Sequence, residues 1–229
     1  LTSVEHNSVR RPLEYLKHTS QVQLSYLTAD QEGNVTPQQL QEAIQRNTSL
    51  VVVNHSSNLL GTILPIAEFA EICHRHHIKL LVDAAQTAGT IPIDVQKMGI
   101  DMLAFPGHKG RLGPQGTGGL YVSPELELEP LLQGGTGSQS EAVMQPDVRP
   151  DRFESGTQNT PGIAGLKAGV DFVLNEGVEN IHNKLWELTQ LLMEGLHRIE
   201  GVHLLGPKRG VNKTAIASFY IDDMDSSEI

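Results

Sequence analysis

Lys79-Leu80-Leu81-Val82-Asp83-Ala84-Ala85-Gln86 decides the reading of the fold. A short apolar run closes on an acidic residue, then on small and polar residues. Such a run reads as a buried strand that ends in a turn. Upstream, residues 50–53 form a similar run and lead into Asn54-His55-Ser56-Ser57-Asn58. Downstream, residues 102–105 form a third, followed by Pro106-Gly107-His108-Lys109. Between the first two, Pro65 opens a helix with Ile66, Phe69, Ala70 and Cys73 on one face. Strands that are mostly apolar and alternate with helices imply a mostly parallel sheet covered by helices on both faces, an α/β architecture. In open sheets of this kind ligands collect at the carboxyl ends of the strands. Three successive polar strand ends are therefore one candidate pocket.

Further out, Thr36 with Gln39 fits a capping box, and Pro37 suits a first helical position. Leu40, Ala43 and Ile44 continue at helical spacing within residues 38–46. Residues 116–122 read as another strand, leading to a Gly- and Ser-rich loop at 133–140. Helices are predicted over 160–174 and 178–199. The second carries Ile181, Leu185, Leu188, Leu192, Leu196 and Ile199 as an apolar stripe. Two strand-like pieces follow, 202–205 and 215–221. This change of pattern predicts a large domain over residues 1–174 and the start of a smaller α+β domain over 175–229.

The bulk numbers narrow the partners. The chain has 229 residues, 38% hydrophobic and 19% charged, which is enough to bury a core. A net charge of −10 without a Lys/Arg cluster argues against nucleic acid and anionic membranes. Cys73 is the single cysteine, so no intramolecular disulfide can form. No signal-peptide pattern or spanning apolar run is found, which makes a cytoplasmic location the expectation. The chain opens at Leu1 and stops just after a strand-like stretch, and it reads as a fragment.

A carboxylate and a lysine at neighbouring strand ends suit one kind of cofactor. Pyridoxal 5'-phosphate needs an amine for its aldehyde, a carboxylate for its pyridine nitrogen, a donor for its phenolic oxygen and polar groups for its phosphate. Asp83 can serve the ring nitrogen, Gln86 can donate an amide, and Lys109 offers the amine. The runs 82–86, Pro106-Gly107-His108-Lys109-Gly110 and Leu112-Gly113-Pro114-Gln115-Gly116-Thr117-Gly118-Gly119 resemble class V aminotransferases. Within them, the likeness is nearest to cysteine desulfurases and selenocysteine lyases. Glu5-His6-Asn7-Ser8, the segment 55–62 and the segment 152–160 agree with this, so the resemblance spans essentially the whole chain.

The resemblance implies a fold type I, three-layer transferase architecture. It makes Lys109 the Schiff-base lysine and proton shuttle, Asp83 the partner of the pyridinium nitrogen, and Gln86 the donor to the phenolic oxygen. It places His108 at the phosphate, His6 stacked on the ring and Asn58 facing the cofactor. It sends Thr157 to the phosphate of a partner subunit's cofactor, which implies a homodimer. The implied reaction takes sulfur from L-cysteine, leaving L-alanine and an enzyme persulfide that a sulfur-acceptor protein would unload. Alternatives on the same scaffold are selenocysteine lyase, an epimerase or another lyase. An alternative of another class is a non-catalytic α/β binding protein. Two departures stand out. Pro106 occupies a position that is serine in many relatives. The expected phosphate loop, nucleophilic cysteine and carboxylate-binding arginine are absent from residues 1–229.

Plainer readings sit beside these. Asp83 alone could cap a helix, Gln86 and Asn58 could be turn residues, and Thr157 could cap the helix that follows it. His55 could belong to pocket or turn. Cys73, on an apolar face, reads as a core residue rather than a nucleophile. His74, His76 and His77 read as a solvated helix end, and no metal site is expected. The glycines at 134–137 lack the strand–turn–helix context of a nucleotide loop.

Overall fold

The computed structural model describes residues 1–20 and 22–228. Four strands form its main sheet in sequential order: β1 (Leu50–Asn54), β2 (Lys79–Asp83), β3 (Met102–Pro106) and β4 (Gly118–Val122). The first three are parallel, with Asn54 opposite Asp83 and Asp83 opposite Ala104. β4 returns antiparallel on β3, pairing Gly118 with Pro106. The three central runs thus begin where their apolar patterns predicted.

Strand side chains alternate between faces, and the two faces differ. Val51, Val53, Leu80, Val82 and Leu103 point one way and join Ile66, Phe69, Ala70, Ile72 and Cys73 in the main hydrophobic cluster. The latter five belong to α3 (Ile66–Arg75), which packs on β2. The shorter α2 (Pro37–Ala43) lies on α3 and contributes buried Leu40. Its capping box is present as expected, with the Thr36 hydroxyl accepting from the Gln39 amide and the Gln39 side chain accepting from the Thr36 amide. Asn54, Asp83 and Ala104 lie on the opposite face of the sheet.

The helix α1 (Asn7–Thr19) was not anticipated. It buries no residue and carries Pro12. After β4 come a single 3-10 turn at Asp151–Phe153, then α4 (Thr160–Glu176) and α5 (Val178–His197). α5 packs on β5 (Val202–Leu205), which pairs antiparallel with β6 (Ser218–Ile221) in a separate two-stranded sheet. The expected α5 stripe is only partly covered. Thr189 and Met193 are buried, whereas Leu188 and Leu192 are exposed. No described helix is long and apolar enough to cross a membrane.

Candidate active site

The carboxyl ends of β1, β2 and β3 sit side by side, and their turns are locked to one another. His55 donates its backbone amide to the Asp83 carbonyl at 2.8 Å, and Ala84 donates to the Ala104 carbonyl at 2.9 Å. Asp83 closes β2, and its Oδ1 accepts the Ala85 amide at 2.8 Å. That bond fixes the carboxylate's direction and leaves Oδ2 uncommitted among the described residues. Gln86 follows in the same turn, half-buried, with no side-chain hydrogen bond among the described residues.

Lys109 lies in the hairpin between β3 and β4. Gly107 closes this hairpin by donating to Thr117 at 2.7 Å, and Gly113 donates back to the Gly107 carbonyl at 2.8 Å. The turn then presses against the segment after Gln86. A Cβ on Gly110 would stand 2.7 Å from the Ala88 carbonyl oxygen, closer than any side chain tolerates. This close approach packs the hairpin that bears Lys109 against the segment following the Asp83–Gln86 turn. Helix α4 supports the hairpin from below: the backbone of Gly169 abuts Arg111 and Leu112, where a side chain would collide. The Arg111 guanidinium stacks over Phe105 at 4.6 Å. The Lys109 amine has no ion-pair or hydrogen-bond partner among the described residues, and its side chain is half-buried.

The remaining candidates divide. His108 is beside Lys109 and exposed. Asn58 is half-buried in a turn held by the Ser57 hydroxyl, which accepts from the Leu59 and Leu60 amides at 3.2 Å each. His6 caps α1, its Nδ1 accepting from the Ser8 amide at 3.1 Å. Thr157 stands apart and exposed, beside the glycine loop, to which Gly156 is tied by a 2.7 Å bond to Gly135. It does not cap α4; Asn159 does, accepting from the Gly162 amide at 3.1 Å.

His55, left open by the sequence, is buried behind Asp83. Its Nδ1 meets the Thr87 hydroxyl at 3.0 Å, and burial pushes the imidazole down to about 4. It is a neutral strut at physiological pH. Cys73 is fully buried on α3, and burial pushes its thiol up to about 11, so it carries no thiolate near neutrality. His74 reaches Asp101 at 3.4 Å and His76 meets Gln41 at 2.9 Å. No cluster able to hold a metal exists among the described residues.

The donor set fits a pyridoxal ring. A carboxylate, an amide and an amine stand on adjoining turns, each with unspent bonding capacity among the described residues. The class-V aminotransferase model matches residues 1–229 throughout. The chain belongs to the class-V aminotransferase family. It is 37% identical to a probable cysteine desulfurase from Methanothermobacter thermautotrophicus, over 99% of this chain and 57% of that protein. It is 34% identical to the cysteine desulfurase IscS of Methanosarcina thermophila, over 96% of this chain and 52% of that protein. The structure superposes on a cysteine desulfurase from Thermococcus onnurineus NA1 with a TM-score of 0.92 at 33% identity. That match covers 99% of this chain and 57% of the other. The chain thus spans a little over half the length of the relatives it matches. These likenesses agree with the fold type I α/β architecture and with the desulfurase resemblance read from the motifs.

Proposed function

We propose that this chain is the pyridoxal-phosphate-binding part of a cysteine desulfurase, with L-cysteine as substrate and L-alanine as product. The observation that carries the reading is the placement of Asp83 at the end of β2 and of Lys109 in the turn after neighbouring β3, their functional groups uncommitted among the described residues. When bound, the cofactor supplies an electron sink that lowers the cost of removing a proton from the amino acid's α-carbon. Asp83 keeps the ring nitrogen protonated through its free carboxylate oxygen. Gln86 donates its amide to the phenolic oxygen. Lys109 would hold the aldehyde through its amine, and the same amine would carry the α-proton. His108 and Asn58 would line the phosphate and ring sides, and His6 would stack on the ring.

The sulfur-accepting thiolate is a cysteine other than Cys73, because that thiol is enclosed and held protonated. The persulfide would pass to an acceptor protein. Thr157 acts across a homodimer interface, at the partner subunit's phosphate. Support for that pairing comes from the flanking loop, which exposes Leu131, Leu132, Val143 and Met144 to solvent. Residues 1–174 form the cofactor-binding unit and 175–229 begin a smaller one, a division supported by the separate β5–β6 sheet. A cytoplasmic location accords with a lone buried thiol.

The test is chemical trapping. The protein is mixed with pyridoxal phosphate, reduced with borohydride, digested and mapped by mass spectrometry. A pyridoxyl group concentrated on Lys109 is the expected result. A label spread evenly over the surface lysines would refute the assignment.

A further inference from the structure

The residue before His6 has no role so far. Glu5 is half-buried, and its Oε1 collects three donors: the Thr2 hydroxyl at 2.6 Å, the Asn54 amide at 3.1 Å and the Thr2 amide at 3.3 Å. Its other oxygen is sealed from solvent without a partner among the described residues. Burial raises this carboxyl above its ordinary range, against the pull of the Thr2 and Asn54 bonds. A sequence that needed only to fill this space would not need an acid there, since enclosing a carboxylate is costly.

The position of Glu5 explains the cost. Asn54 is the last residue of β1, and on that side no strand among the described residues accepts its amide; Glu5 does instead. Asn54 adds a second donation, from its side-chain amide to the Val4 carbonyl at 3.0 Å. The backbone on which His6 sits is thereby bolted to β1 by two bonds, both donated by Asn54. One strand over, Asn54 lies opposite Asp83. On the other side of His6, the ring is aimed by its capping bonds to Ser8. Chain and ring are fixed independently, the first through Glu5.

We infer that Glu5 is a positioning residue that sets the His6 ring relative to the cofactor plane defined by Asp83 and Lys109. The inference rests on the pyridoxal-phosphate reading above. Glu5 touches neither cofactor nor substrate; it acts through the Val4–His6 backbone. The acceptor oxygen matters more than the charge, so glutamine should replace it and alanine should not.

The experiment compares Glu5→Ala, Glu5→Gln and His6→Ala in the pyridoxal-phosphate-loaded protein by the circular dichroism of the cofactor band, which reports how the ring is held. Lys109 trapping is measured alongside, and amide exchange at Asn54 is measured without cofactor. Glu5→Ala should lose the dichroic band as His6→Ala does and speed Asn54 exchange by about tenfold or more. Its Lys109 trapping should stay within about twofold of wild type, and Glu5→Gln should restore both lost signals. A wild-type band in Glu5→Ala alongside a lost band in His6→Ala would overturn the role of Glu5 alone. Absence of Lys109-specific trapping in the wild type would overturn the cofactor reading, and the role of Glu5 with it. Should Glu5→Ala fail to fold, Glu5→Asp retains the charge but shortens the reach. A weakened band then supports the inference, and an unchanged one refutes it.

Discussion

The two ends of the main sheet use the same kinds of residue to opposite effect. At the amino ends, Asp101 accepts the Leu80 amide at 2.9 Å and pairs with Lys79 at 3.1 Å and His74 at 3.4 Å. Burial pushes the Asp101 carboxyl up, but the Leu80 amide, Lys79 and His74 together hold it below the usual carboxylate range. Its charge is spent within the fold. At the carboxyl ends, Asp83 keeps a free oxygen, and Gln86 and Lys109 keep their functional groups free among the described residues. An acid beside a lysine is structural where the two satisfy each other. It is a candidate site where they stand on adjoining turns and do not.

That contrast breaks most sharply at Lys109. Lys109→Ala should reduce turnover of L-cysteine by the whole protein on the order of 1,000-fold, by removing the proton carrier. An assay of alanine release checks this. Asp83→Asn comes next: turnover should fall by about 100-fold, while borohydride still fixes the cofactor to Lys109. Equal turnover in Asp83→Asn and wild type would remove Asp83 from the site.

Smaller effects concern stability. His55 is depressed to about 4 in the folded state against an ordinary 6.5, so the unfolded chain binds the proton more readily. Its contribution is complete above about pH 6.5 and is lost as pH falls toward 4, a loss on the order of 3 kcal/mol. Urea midpoints measured across that interval should slope in wild type and flatten in His55→Gln. Asp101→Asn should cost about 1–3 kcal/mol, because it weakens the clamp on Leu80 and Lys79, yet leave Lys109 trapping unchanged. If trapping fell with it, the two ends of the sheet would be coupled and the contrast between them would fail.

Much of this was legible in the residues. Apolar runs placed β1, β2 and β3 because a buried strand leaves little choice of side chain, and Thr36 with Gln39 announced α2 through its capping chemistry. Cys73 was rightly read as core. The antiparallel direction of β4 was not legible, since a strand's pattern does not record which way its neighbour runs. α1 escaped although Val9, Leu13 and Leu16 keep helical spacing, because Pro12 stands in the middle of the run and reads as a helix breaker. The extent of solvent exposure on α5 escaped too, since an apolar stripe does not name its cover. Glu5 and His55 escaped for a different reason. Each is a polar residue whose use depends on what folds against it, and nothing local marks an acid as the tie for a strand 49 positions away.

The hairpin that bears Lys109 is closed at its neck by Gly107 and Thr117, pinned to Ala88 on one flank and seated on Gly169 on another. Its backbone has nowhere to go. Any chemistry that needs the amine first at one atom and then at another must be served by rotations along the lysine's own methylene chain. The reach of that chain sets how far apart the two atoms can be.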